Sequence, residues 1–174
     1  VLGEAGVQTR IIETYAPDSI KNNILPKVCS GDAILSICMT EPHAGTDVSS
    51  YRTNTRLHMN HATVNGVKTL ISRAQEAAMF VVFTRVDEQP GREGIGCVLI
   101  EGGTPGLEVT ASYHTMGGEY LSEVQFNDIE LPLENLVITS AAVNTSPRSL
   151  CGLATNFQPC KREPIAINQI HGNF

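Results

Sequence analysis

Apolar residues recur at helical spacing over residues 1–30. Val7, Ile11, Ile12 and Tyr15 mark one face, Ala16-Pro17-Asp18-Ser19 interrupts it, and Ile20, Ile24, Leu25 and Val28 resume it as a second short helix. Ser30-Gly31-Asp32 then ends the helical pattern. From residue 33 the period changes. Ala33 to Met39 is an apolar run of strand length, and Glu41 to Asp47 is a loop holding Pro42 and Gly45. Arg52 to Leu57 alternates, and Ala62-Thr63-Val64 leads through Asn65-Gly66, a strong hairpin signal, into Val67 to Ser72. Further strands are expected at Met79–Arg85, Ile95–Glu101, Leu107–Ser112, Glu123–Phe126 and around Leu131 and Leu133. Short strands at this spacing, bounded by turn clusters such as Gly102-Gly103-Thr104-Pro105-Gly106, predict a mainly β fold, an antiparallel barrel or sandwich, preceded by short N-terminal helices.

Residues 139–174 read differently. Ser, Thr, Asn and Pro are frequent, and Pro147, Pro159 and Pro164 block a continuous helix, so an irregular tail is expected.

The chain has 174 residues, which suits one domain or one domain with fragments, and its 41% apolar content is enough for a core. A net charge of −6 argues against nucleic acid as a partner but leaves room for a small anion held by backbone N–H groups. Five cysteines at wide spacings form no CxxC pair, which suggests buried free thiols in a reducing compartment rather than zinc ligands or disulfides. The five histidines show no HxH or HxxxH spacing. No apolar run approaches the ~18 residues of a membrane span, and the opening Val1-Leu2-Gly3-Glu4 lacks the features of a signal peptide, so the expectation is not a secreted protein.

The loop Thr40-Glu41-Pro42-His43-Ala44-Gly45-Thr46-Asp47 follows a buried strand, and its hydroxyls and N–H groups could converge on a phosphate or a polar ring edge. Taken alone, an ordinary Pro/Gly turn is the simpler reading. No GxSxG elbow supports serine hydrolysis and no GxGxxG follows a strand.

Several blocks, read in order, change this balance. Met39 to Val48 resembles the T-E-P-x-A-G-S-D signature of acyl-CoA dehydrogenases, and Val64 to Ser72 is similar to that family's N-G-x-K-x-W-I-T strand. Gly103-Thr104-Pro105-Gly106, Met116-Gly117 and Phe126 to Leu136 resemble the later G-T-P-G, l-G and F-x-D-V-x-V-P blocks. Tyr15 to Gly31 is similar to the helix and connector before the signature, so the likeness spans roughly residues 5–138. It implies three parts: the end of a helical domain (1–32), a flavin-binding β-domain (33–138) and an atypical tail (139–174).

The resemblance implies FAD as cofactor. It places Thr40 at the polar edge of the flavin with Cys38 and Met39 supplying backbone contacts, Thr46 near the pyrophosphate and the thioester-CoA, and Leu70, Ile71 and Ser72 along the ring, Ser72 near N5. Leu70 stands where the family usually has tryptophan, Arg73-Ala74 replaces an Asn-Gly turn, His43 replaces a small residue, and the segment from Met116 to Phe126 is short. The family's partners are acyl-CoA and an electron acceptor, its members are usually homo-oligomers, and the implied compartment is cytoplasm or mitochondrial matrix. Its catalytic glutamate belongs to a helical bundle after the β-domain, which residues 139–174 do not resemble. The expectation is therefore a fragment or truncated form with no catalytic residue of its own, or alternatively a non-catalytic binding or assembly module without flavin.

Overall fold

The computed structural model describes residues 2–139. Two helices come first, α1 (Leu2–Tyr15) and α2 (Asp18–Ser30). Pro17 presets the entry to α2, and Gly31, at φ 85°, closes it by donating its N–H to the Val28 carbonyl. Eight strands follow: β1 (Ile34–Cys38), β2 (Asn54–Leu57), β3 (His61–Ser72), β4 (Ala77–Val86), β5 (Ile95–Glu101), β6 (Leu107–His114), β7 (Tyr120–Pro132) and β8 (Leu136–Ile138).

The β-rich fold read from the sequence is present, as a single mixed sheet that does not close. Its strands run β6-β7-β3-β2-β4-β5-β8, with β1 joined to β4 off this path. Most pairings are antiparallel, but β4 pairs parallel to both β1 and β2. β4 is the hub because both of its faces are apolar and buried. On one side Met79, Val81 and Phe83 join Cys97 and Leu99 of β5, Ile11, Ile12 and Ile24 of the helices, and Ala16 of the connector between them. On the other, Phe80 and Val82 join Val98 and Ile100 and meet Val64 and Ile71 of β3 and Val124, Phe126 and Ile129 of β7. The second core lies between two parts of one sheet, so the sheet behaves as a sandwich folded from a single ribbon of strands. Of the irregular tail expected for residues 139–174, all but Thr139 lies outside the described residues.

The Asn65-Gly66 hairpin does not form. The two residues lie inside β3, which runs unbroken from His61 to Ser72. Its register against β7 slips between Val64 and Gly66, and there Asn65 Nδ2 donates to Asp128 Oδ1 at 2.9 Å while the Asp128 N–H donates back to Asn65 Oδ1 at 2.9 Å. This reciprocal pair satisfies the groups a bulge would leave unpaired, so the turn-prone dipeptide serves a bulge instead. Gly66 is required here for two reasons. Its φ is 145°, and a Cβ on it would lie 2.6 Å from the Thr53 Cα. Gly66→Ala should therefore destabilise the chain by about 3 kcal/mol, combining close contact with a backbone conformation L-residues avoid. Urea denaturation checks this; an unchanged midpoint would contradict it.

Candidate functional site

A lysine sits at the centre of the molecule. Lys68 of β3 is fully buried, and its ammonium meets Glu41 Oε1 at 2.9 Å, with both side chains almost wholly excluded from solvent. The ammonium also donates to the Met39 carbonyl at 2.8 Å and lies 3.7 Å from the centre of the Tyr51 ring. Glu41 is satisfied in turn by the backbone N–H groups of Arg52, at 2.8 Å, and Thr53, at 3.1 Å. His43 Nε2 stands 3.4 Å from its other oxygen. Burial pulls the Lys68 pKa down to about 8, against the opposing attraction of Glu41. Burial pushes the Glu41 carboxyl up, but the Arg52 N–H and the Lys68 charge outweigh it, and the net shift is downward. Both groups are charged at neutral pH.

This pair fixes the start of the signature loop. Met39 and Glu41 are both bonded to Lys68, and between them the Thr40 carbonyl accepts the Thr69 N–H at 2.8 Å. Thr69 can reach Thr40 because β3 bulges here: its register against β7 slips between Lys68 and Ile71. The bulge turns Leu70 outward, 53% exposed, with its backbone in the left-handed region at φ 58°. A leucine in that conformation is strained, and such strain persists where the surrounding structure imposes it. Arg73, three residues on, is also left-handed at φ 56°. An Asn or Gly takes that conformation at lower cost, so an arginine there adds strain.

The residues singled out from the sequence thus divide. Met39, Thr40 and Leu70 gather around the bulge, with Met39 and Thr40 half-buried. Cys38 and Ile71 turn their side chains into the second core, leaving only their backbone for contacts. Ser72 is half-buried and its carbonyl accepts the Ser36 hydroxyl at 2.8 Å. Thr46 is exposed on the loop whose two ends meet at Glu41. The next residue, Asp47, accepts from the Ser49 N–H and from the Ser49 and Ser50 hydroxyls, and the two hydroxyls in that order lead in holding its carboxyl below the usual range. A cleft of about 660 Å³ opens nearby, lined among others by Val28, Leu35, Arg73, Glu119 and Tyr120; of the expected residues it includes Ser72 alone.

Sequence reading passed over Lys68 and Tyr51 as functional elements. The available signal was the phase of the strand: Lys68 shares the inward-facing side of β3 with Val64, where a lone lysine needs a buried partner. The thiols of Cys38 and Cys97 are neutral, since burial raises both, Cys38 to about 12. Among the described residues no helix is long and apolar enough to cross a membrane.

Comparison with known proteins places this arrangement. Residues 36–129 match the family model for the acyl-CoA dehydrogenase middle domain. The chain is 33% identical over 129 residues to the mitochondrial isobutyryl-CoA dehydrogenase of Bos taurus, a match covering 73% of this chain and 31% of that one. It is similar in structure to a glutaryl-CoA dehydrogenase from Mycobacterium smegmatis in complex with FADH2, with TM-score 0.68 and 26% identity over 75% of this chain and 33% of that one. The butyryl-CoA dehydrogenase of Megasphaera elsdenii gives TM-score 0.70 and 28% identity over 75% of this chain and 35% of the other. The chain belongs to the acyl-CoA dehydrogenase family and contains its middle domain. It spans about a third of the length of these relatives.

The depressed Lys68 pKa has a measurable consequence. In the folded chain Lys68 loses its proton near pH 8, whereas an ordinary lysine holds it to about 10.5, so between these values the unfolded chain binds more protons. The Lys68 contribution to stability then rises with pH across that window. Raising the pH from about 7.5 to about 9.5 should lift the Tm of the natural chain relative to that of the Lys68→Met/Glu41→Gln double variant, in which the titration is removed. Parallel Tm profiles over that range would contradict the assignment.

Proposed function

We propose that residues 33–138 are the flavin-binding β-domain of a flavoprotein that oxidises acyl-CoA thioesters at the α,β-carbons, with residues 1–32 ending a helical domain and 139–174 forming an atypical tail. The observation that carries this reading is the β3 bulge: it holds an exposed apolar side chain, Leu70, beside Thr40 at a backbone cost that packing does not repay. The residues present fit a flavin. Leu70 offers an apolar surface, Thr40 and Ser72 offer hydroxyls beside it, and Thr46 carries a hydroxyl at the solvent side of the loop.

Flavin, when bound, supplies the acceptor for the β-hydride. The chain's own part is orientation. Thr40 and the backbone of Cys38 and Met39 would hold the polar edge of the ring, Leu70, the backbone of Ile71 and Ser72 would line it, and Thr46 would serve the pyrophosphate and the thioester-CoA. The implied partners are acyl-CoA and an electron acceptor, in an assembly of several copies, in cytoplasm or mitochondrial matrix. Support comes from the named substrates of the relatives and from the bound FADH2 of the M. smegmatis enzyme. Affinity of this chain for FAD should be weak. Leu70→Trp adds a flat contact worth ~0.5–1.5 kcal/mol and should tighten binding a few-fold in a flavin-fluorescence titration. Unchanged binding would tell against this placement of β3.

A second reading, a binding or assembly module without turnover, is favoured by the carboxylates. Removal of a weakly acidic α-proton needs a positioned base, typically worth ~10²–10⁴-fold. Glu41 is buried in an ion pair and Asp47 is bonded to two serines, and both carboxyls are held below their usual range. Mixed with FAD, acyl-CoA thioesters of several lengths and an artificial electron acceptor, the chain alone should show no turnover beyond free FAD. Sustained turnover abolished by replacing a single carboxylate would overturn this and identify the base.

A further inference from the structure

We infer that Lys68 is a positioning residue: through the Met39 carbonyl and Glu41 it sets the location of both Thr40 and the Thr46 loop. The inference deepens the flavin reading above and rests on it for its functional consequence, though not for its geometry.

The argument begins with energetics. Burying a lysine and a glutamate together is a poor route to stability, because desolvation cancels most of the attraction, and an apolar pair of similar volume is often neutral or better. The surroundings of Lys68 are otherwise suited to an apolar residue: Cys38, Val64 and Val124 of the second core are fully buried, and Val124 lies opposite Lys68 in the ladder. Packing alone does not account for a charge here. What an apolar residue cannot do is hold specific oxygens in place.

Lys68 holds two. An ammonium has three donors. One goes to the Met39 carbonyl and one to Glu41, the residues on either side of Thr40, and the charge also faces the Tyr51 ring. The neighbouring Thr69 N–H takes the Thr40 carbonyl itself. Three successive residues, 39, 40 and 41, are therefore pinned by two successive residues of β3. Glu41 extends the effect: its oxygens accept the N–H groups of Arg52 and Thr53, closing the loop that carries Thr46. A single side chain thus ties together the loop base, the Thr40 position and the strand segment that leads into the Leu70 bulge.

The test compares the full chain with the Lys68→Met/Glu41→Gln double variant, which removes both charges and leaves neither unpaired. Amide hydrogen exchange in the absence of flavin gives the geometric readout. The amides of Thr69, Arg52 and Thr53 should exchange about tenfold faster in the variant while those of β4 and β5 keep their protection. FAD titration gives the functional readout: affinity should fall about tenfold, as for loss of one well-aligned hydrogen bond, and the visible circular dichroism of bound FAD should change. Unchanged exchange at Thr69, Arg52 and Thr53 would overturn the inference. So would uniform acceleration across all strands, which would make Lys68 a general stabilising residue. If the natural chain binds no FAD yet shows the local exchange effect, the flavin reading fails and the positioning of the loop by Lys68 stands.

Discussion

A buried charge must find a partner, and in this chain the way one lysine does so organises everything around it. Lys68 projects inward from β3, and the partner it takes, Glu41, comes from a loop distant in sequence. Without that pair a charge would lie uncompensated in a dry core, at a cost of several kcal/mol. The loop from Thr40 to Thr53 is therefore no loose connection. It is anchored at its start by Lys68 and Thr69, and at its end by the bonds from Arg52 and Thr53 to the same carboxylate. Arg85 of β4 reinforces it, donating from Nε to the Tyr51 carbonyl and from its guanidinium to the Ser49 carbonyl.

The scaffold that receives this loop owes its shape to β4. A strand buried on both faces must be covered twice, once by helices and once by the far part of its own sheet. The covering strand, β3, has to run past β4's partners and still pair along β7, and it manages the mismatch with two bulges. One is relaxed by the Asn65–Asp128 exchange of hydrogen bonds and by Gly66. The other is not relaxed: it places Leu70 in a left-handed conformation and directs it into solvent beside Thr40. A left-handed leucine thus stands where the middle domain is proposed to meet its cofactor, while the other bulge places Gly66 and Asp128, at φ 46°, in conformations that glycine and aspartate take at lower cost.

Much of this was legible along the chain. The helices were readable from apolar spacing and from Pro17 and Gly31, and β5 from its continuous apolar run between turn residues. The Asn65-Gly66 turn was misleading because its outcome depends on Asp128, far away in sequence, and local turn chemistry yields when a distant partner satisfies the same groups. β8 has only three residues, too few to show a period. At the site, the ordered motifs were enough to identify the family. The burial of Lys68 was less accessible, because a single lysine in an alternating strand reads as solvent-facing unless its phase is compared with Val64. The left-handed backbone at Leu70 was inaccessible, because it arises from register against β7 and not from any preference of leucine.

The flavin is proposed to sit at Thr40, Leu70, Ser72 and the Thr46 loop. Mapping backbone amide chemical shifts of the full chain during an FAD titration tests it directly. Shifts should concentrate at residues 38–40, 46 and 70–72. Shifts confined to the neighbouring cleft, at Val28, Leu35, Glu119 and Tyr120, with Thr40 and Leu70 unmoved, would contradict it.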